Sequence, residues 1–182
     1  SPHASCQKNR GRSGPLKVNI ISYKSRIIPT KTSILVGGLL SLYVGISAQE
    51  ITREAYNRFR ITSSYSINSV GLEHLTLEKI NGDIALNSDN QKQIFIQETM
   101  AINAVTEENA LSLYLDAKAV LESSGNEVHL TGQNLPHEIL ESNYRIILPP
   151  NFEIMADLTS GSISADGFSG ALLIMTKLGD IS

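Results

Sequence analysis

The chain has 182 residues, about one domain's worth, with 15 basic and 18 acidic residues, one cysteine and no tryptophan. The lone Cys6 excludes a disulfide, a cysteine zinc site or a cysteine nucleophile in the rest of the chain. The net charge of -3 conceals a division: no acidic residue precedes Glu50, and from Glu50 onward 18 acidic residues face 8 basic ones, a balance of -10 that suits nucleic acid poorly.

Residues 1–31 are basic and without clear periodicity, and are expected to be disordered. Ser33–Ser47 (SILVGGLLSLYVGIS) is an uncharged, largely apolar run, shorter than the ~20 residues of a membrane-crossing helix. With Lys31 before it and the small residues Gly45, Ser47 and Ala48 behind it, residues 32–48 read as a signal peptide cleaved before Gln49. An uncleaved membrane-anchor helix over 32–48 is the alternative, and a buried strand pair a third reading. No cysteine follows the run, so lipid attachment there is excluded. Export places the body, 49–182, in the periplasm, at the cell surface or in the medium.

From Arg58 the pattern is mostly period two, as expected of strands. Arg58–Thr62 and Leu72–Lys79 alternate, the latter with Leu75 and Leu77 on one face. Asn81-Gly82-Asp83 predicts a tight turn, since Asn-Gly favours positive φ, with Ile84 and Leu86 alternating beyond it. Gln91–Glu98 is a further strand. Thr106–Tyr114 breaks the pattern: Thr106 can cap a short helix, Glu107 and Glu108 suit its N-terminal end, and Leu111 and Leu115 share a face. Alternation resumes over Asp116–Glu122, turns at Ser124-Gly125-Asn126, and continues through Val128 and Leu130. Gln133–Ser142 reads as a loop, and Tyr144, Ile146 and Leu148 lead to Pro149-Pro150.

The last forty residues contain a repeat. Shifted by 18 positions, Leu158–Ser164 (LTSGSIS) falls on Thr176–Ser182 (TKLGDIS), with Gly161 on Gly179 and Ile163 on Ile181. Ile154 likewise falls on Leu172 and Ala156 on Ile174. A period near 20 residues signals a solenoid whose coils bury their apolar faces on one another. The last repeat stops one residue beyond its apolar position, so the domain is expected to be cut short at its C-terminal end.

The segments LTLEKINGDIALNSDNQKQIFIQE and ILPPNFEIMADLTSGSISADGFSGALLIMTKLGDIS together resemble the bacterial putative-adhesin domains of unknown function. The likeness covers roughly residues 59–182 and is strongest from 143 onward. It implies an all-β fold, a single-stranded β-helix-like solenoid with one short helix, exposed at or outside the bacterial envelope. It implies no catalytic site.

The residues themselves agree. Asp83, Asp157, Asp166 and Asp180 could suggest calcium, but their spacing is irregular and Ser162 stands where a repeat turn would place Asp, so turn capping is the simpler reading. His3, His74, His129 and His137 lack metal-ligand spacing. Ser124 and Ser160 precede glycines without a G-x-S-x-G frame. No catalytic, cofactor-binding or metal residue is therefore assigned, and no cofactor. The expected function is non-catalytic: an adhesin-like module with a binding or structural role toward an unknown envelope or extracellular ligand, with possible membrane anchoring through residues 32–48 and no nucleic-acid partner. A β-helix hydrolase or lyase acting on polysaccharide is the alternative.

Overall fold

Alternating side chains become strands in the computed structural model, which describes residues 45–177 and 179–181, with side chains from Ala48 onward. The strands in chain order are β1 (Gly45–Ala55), β2 (Arg58–Asn68), β3 (His74–Asn81), β4 (Asp83–Ser88) and β5 (Gln93–Asn103). After the helix α1 (Glu107–Ala117) come β6 (Val120–Ser124), β7 (Glu127–Thr131), β8 (Ile139–Leu148), β9 (Glu153–Ser160), β10 (Ile163–Asp166) and β11 (Leu172–Thr176). They form two sheets, β1-β2-β5-β8-β4-β10 and β11-β9-β3-β7-β6. Leu75, Leu77, Val128 and Ile154 of the second sheet pack against Ile84, Leu86, Ile96 and Ile146 of the first.

The fold is mostly β with one short helix. Two pairing regimes meet in it. β1, β2, β5 and β8 are antiparallel neighbours, as are β6 and β7. By contrast β8, β4 and β10 run parallel in the first sheet, and β7, β3, β9 and β11 in the second. The chain crosses from second sheet to first at Gly82, between β3 and β4, and again at Gly161, between β9 and β10. It turns a third time at Gly179, before Ile181 bridges Ile163. These three rungs stack in register: Leu75, Ile154 and Leu172 form one row, Leu77, Ala156 and Ile174 another, and Ile84, Ile163 and Ile181 a third. The pairs expected from the 18-residue shift are therefore ladder partners.

The described residues form no closed solenoid or barrel. The rung built from β7 and β8 lies on the opposite side of β3 and β4 from β9 and β10, out of chain order. The long strands β2, β5 and β8 instead prolong the first sheet as an antiparallel meander, and α1 covers the part of its inner face that the second sheet does not. A second cluster forms there from Phe59, Ile61, Met100 and Ile102 with Ala110, Tyr114 and Ala117 of the helix.

Several local expectations change. The leader 1–31 and residues 32–44 of the signal or anchor segment lie outside the described residues. Gly45–Ala48, read as the end of that segment, belong to β1, because the chain here finds an antiparallel partner in β2. No helix among the described residues is long and apolar enough to cross a membrane. Thr106 caps α1 as expected, its Oγ1 accepting from the Asn109 amide at 3.2 Å. The helix runs on to Ala117, however, and buries Ala110, Tyr114 and Ala117 while Leu115 stays exposed. The Asn81-Gly82 turn is a corner between sheets, not a hairpin. At Gly82 (φ 130°) a Cβ would collide with the Ser142 carbonyl, and at Gly161 (φ 105°) with the Gly82 carbonyl. Part of the expected loop 133–142 is strand, the start of β8.

Ile163 is fully buried between Ile84 and Ile181, whereas Ile181 is 55% exposed. An Ile163→Asp substitution is expected to cost several kcal/mol, as an unpartnered charge in an apolar stack, and Ile181→Asp far less. Gly161→Ala, at positive φ and against a backbone carbonyl, is expected to cost more than ~1 kcal/mol. Denaturant melts compare the three; equal losses at positions 163 and 181 would contradict the rung assignment.

Candidate ligand-binding cleft and the buried acid

Two places concentrate polar chemistry. The first is internal. On β5, Ile94, Ile96, Glu98, Met100 and Ile102 share the inward parity, so the alternation that buries the apolar residues also buries Glu98, 1% exposed. Its Oε2 accepts from the Tyr114 hydroxyl at 2.9 Å, and its Oε1 from the Ala119 amide at 2.9 Å and the Tyr144 hydroxyl at 3.0 Å. The phenols are buried with it, Tyr114 on α1 and Tyr144 on β8. Burial raises the Glu98 pKa against the opposing pull of these three donors and of Lys118. Burial and the neighbouring carboxylate raise Tyr114 and Tyr144, and burial raises Tyr65. A carboxyl group among phenols is acid–base chemistry in kind, but every member is sealed from solvent, so the cluster holds structure together.

The second place is open. At the corner where β3 becomes β4, a cleft of about 280 Å³ is bounded by Asn81, Asp83, Ser160 and residues of the 135–143 segment, including Leu140, Glu141 and Asn143. Much of its polar lining is already committed. Ser160 Oγ donates to Asn81 Oδ1 at 3.2 Å, and Asn81 Nδ2 donates to the Gln133 carbonyl at 3.3 Å. Asp83 Oδ1 accepts from both the amide and the hydroxyl of Ser162 at 2.8 Å, and these bonds hold its carboxyl below the usual range. Glu141 is ion-paired with Arg58 at 3.0 Å. The Asn143 side-chain amide lines the cleft and makes no side-chain hydrogen bond among the described residues.

The residues considered from sequence are dispersed. Of the four aspartates only Asp83 reaches the cleft; Asp157 lies mid-strand in β9 beside Glu78, and Asp166 ends β10. His74 faces Glu153 at 3.2 Å and His129 faces Glu127 at 3.1 Å on the outer face of the second sheet, and His137 lies beside Glu138 at 3.2 Å. Among the described residues no three His, Cys, Asp or Glu side chains gather as a metal site. Ser124 lies in the β6–β7 hairpin, and Ser160 lines the cleft. His3 and Cys6 lie outside the described residues. Sequence reasoning missed Glu98, although an acid on the apolar parity of β5 was a readable signal. It also missed Glu141 and Asn143, which no local pattern distinguishes.

The raised pKa of Glu98 sets a sign. Its contribution to stability is present in full below the ordinary glutamate value and is lost as pH rises through the higher folded value. Asp83 acts oppositely: its contribution is present above the ordinary aspartate value and is lost as pH falls through the lowered one. Stability is therefore expected to be greatest at mildly acidic pH. Glu98→Gln, which keeps the shape without the charge, should flatten the decline on the alkaline side and leave the acid limb in place. Denaturant midpoints from about pH 3 to 9 provide the check; an unchanged alkaline slope would clear Glu98 of responsibility.

No protein-family model matches the chain, and no curated relative matches it. A solved structure from Clostridium sporogenes ATCC 15579, described as a "putative cell adhesion protein", is similar at 14% identity and a TM-score of 0.45, over 65% of this chain. The chain spans 57% of the length of that protein.

Proposed function

We propose that the chain is a non-catalytic, adhesin-like module with a binding or structural role at the cell envelope or surface. The leader's charge asymmetry and short apolar run support export, with a signal or anchor that begins at residue 32 and ends where β1 takes over at Gly45. The stacked rungs at the β11 end support a solenoid-like reading of that half of the body. The observation that carries the non-catalytic reading is how the acids are held. A glycosidase needs one carboxyl kept protonated as general acid opposite a second carboxylate. In the cleft Asp83 is pulled toward its ionised form by Ser162, and Glu141 is tied to Arg58. Glu98, whose pKa is raised, is sealed in the core.

The cleft instead offers amide, hydroxyl and carboxylate groups beside the apolar Leu135 and Leu140, a lining suited to holding a polar ligand by hydrogen bonds. A polysaccharide-acting enzyme is the second reading, favoured by the presence of two carboxylates in one cleft. Binding to purified cell-wall polysaccharide and to intact bacterial cells, measured beside release of reducing ends, separates the two. Saturable binding without turnover, weakened several-fold by Asn143→Ala at unchanged thermal stability, is the expected result. Turnover abolished by Asp83→Asn or Glu141→Gln would replace this reading with the enzyme.

A further inference from the structure

The outer faces of the two sheets differ in charge. On the second sheet that face carries Glu78, Glu127, Glu153 and Asp157, as a solvated face does. On the first sheet, Thr62, Thr99, Asn143 and Asp83 form one row across β2, β5, β8 and β4. Ser64, Gln97 and Arg145 form the next row, and beyond it Phe95 stands beside Ile147. Arg145 and Asp83 are the only charges among these residues. Their parity is opposite to that of the buried Ile61, Glu98 and Ile146, so they face away from the core. The second sheet and α1 pack on the inner face, and no other element among the described residues covers the outer one. Rungs stacked beyond β10 would lengthen these rows and leave them open.

The rows keep hydrogen-bonding capacity. Thr62 Oγ1 and Thr99 Oγ1 share one hydrogen bond at 3.2 Å, which leaves one of the two hydroxyl hydrogens to donate outward. Gln97 Nε2 donates to Ser64 Oγ at 3.4 Å, and the Gln97 side-chain carbonyl remains an acceptor. Arg145 has no ion pair among the described residues. Depletion of charge marks the core of a binding surface. Hydroxyls and amides leave water at little cost when new hydrogen bonds replace the old. Phe95 and Ile147 are already half-buried and offer too little apolar area to anchor a protein partner. The Thr62–Thr99–Asn143 row runs directly into the cleft, whose wall includes Asn143 and Asp83. From Thr62 to Asp83 are three strand spacings, roughly 14 Å, which is longer than a single sugar ring.

Resting on the reading of the cleft as a ligand site, we propose that its ligand is an uncharged polysaccharide lying across the strands. One end sits in the cleft, and the rest follows the outer face of the first sheet over Thr99, Gln97 and Thr62. A hydroxyl or amide recurs at each strand to meet the sugar hydroxyls. The flat ring of Phe95 takes the apolar face of a sugar beside that row.

Titration of the full chain with neutral hexose and N-acetylhexosamine oligomers of increasing length, beside polygalacturonate as an acidic polymer, tests this. Affinity should climb with length among the neutral oligomers and be unmoved by added salt. Thr99→Val and Gln97→Ala, both outside the cleft, should each weaken the long oligomers several-fold at an unchanged thermal midpoint and spare the shortest. Asn143→Ala should weaken short and long alike. If Asn143→Ala alone acts, or if affinity is independent of length, the ligand is confined to the cleft, and the proposal fails while the cleft reading stands. Tighter binding of polygalacturonate, lost with added salt and with Arg145→Gln, would overturn the uncharged occupant. Binding to none of the oligomers would overturn it too, and Asn143-dependent binding to intact cells would then show that the cleft reading survives.

Discussion

The inner layer of the first sheet depends on one buried carboxylate. Taking an ionised carboxyl group out of water costs several kcal/mol. At Glu98 two phenolic hydroxyls and a backbone amide offset that cost only in part, and burial still raises its pKa. The three donors come from different elements. Tyr114 belongs to α1, Ala119 to the chain leaving it, and Tyr144 to β8. Glu98 itself stands where the cover over the first sheet changes from second sheet to helix. An apolar residue there would leave three buried donors unpaired, at a cost of ~1–3 kcal/mol each. An eleven-residue helix is marginal on its own, and only Ala110, Tyr114 and Ala117 of α1 are buried. The Tyr114 bond therefore fixes the orientation of a helix whose apolar contact is small.

A second constraint is steric. Parallel strands lie about 4.8 Å apart, and a corner at which each rung rests on the one below leaves no room for a side chain pointing down the stack. The Cβ direction of Gly179 meets the Gly161 carbonyl, that of Gly161 meets the Gly82 carbonyl, and that of Gly82 meets the Ser142 carbonyl. The requirement is transmitted from rung to rung, and the 18-residue recurrence of glycine is its trace in the sequence. Gly125 is different: its φ of 62° serves a hairpin, and a side chain there would meet open space.

This distinction explains how much of the molecule was legible in the sequence. Strands declared themselves by alternation, the helix by Thr106 and the acidic residues after it, and the rung register by the 18-residue shift, because each is encoded within a short window. Strand partners were not legible. β5 pairs with β2 and β8, whose partner residues lie twenty-five or more positions away in either direction, and nothing in Gln93–Asn103 specifies them. The Asn-Gly dipeptide at 81–82 carried a true signal for positive φ and no information on whether the chain would fold back or cross to the other sheet. The cleft was hidden for the same reason. It joins the 81–83 corner to the 135–143 segment, more than fifty residues on, and is created by their approach alone.

The residue after each corner completes the argument about the aspartates. Asn143, Asp83, Ser162 and Asp180 each precede an inward-facing residue of the stack, Tyr144, Ile84, Ile163 and Ile181, and these four lie in ladder register. Charged and neutral residues thus alternate along the column. Like charges directly opposite one another on neighbouring strands are destabilising. An aspartate at every rung would place carboxylates about 5 Å apart, whereas the observed order separates Asp83 from Asp180 by roughly 10 Å. Ser162 does more than dilute the charge, because its amide and hydroxyl both donate to Asp83. The departure from a perfect repeat at Ser162, which weakens a calcium-binding reading of the sequence, is therefore what lets the rungs satisfy an aspartate from within the protein.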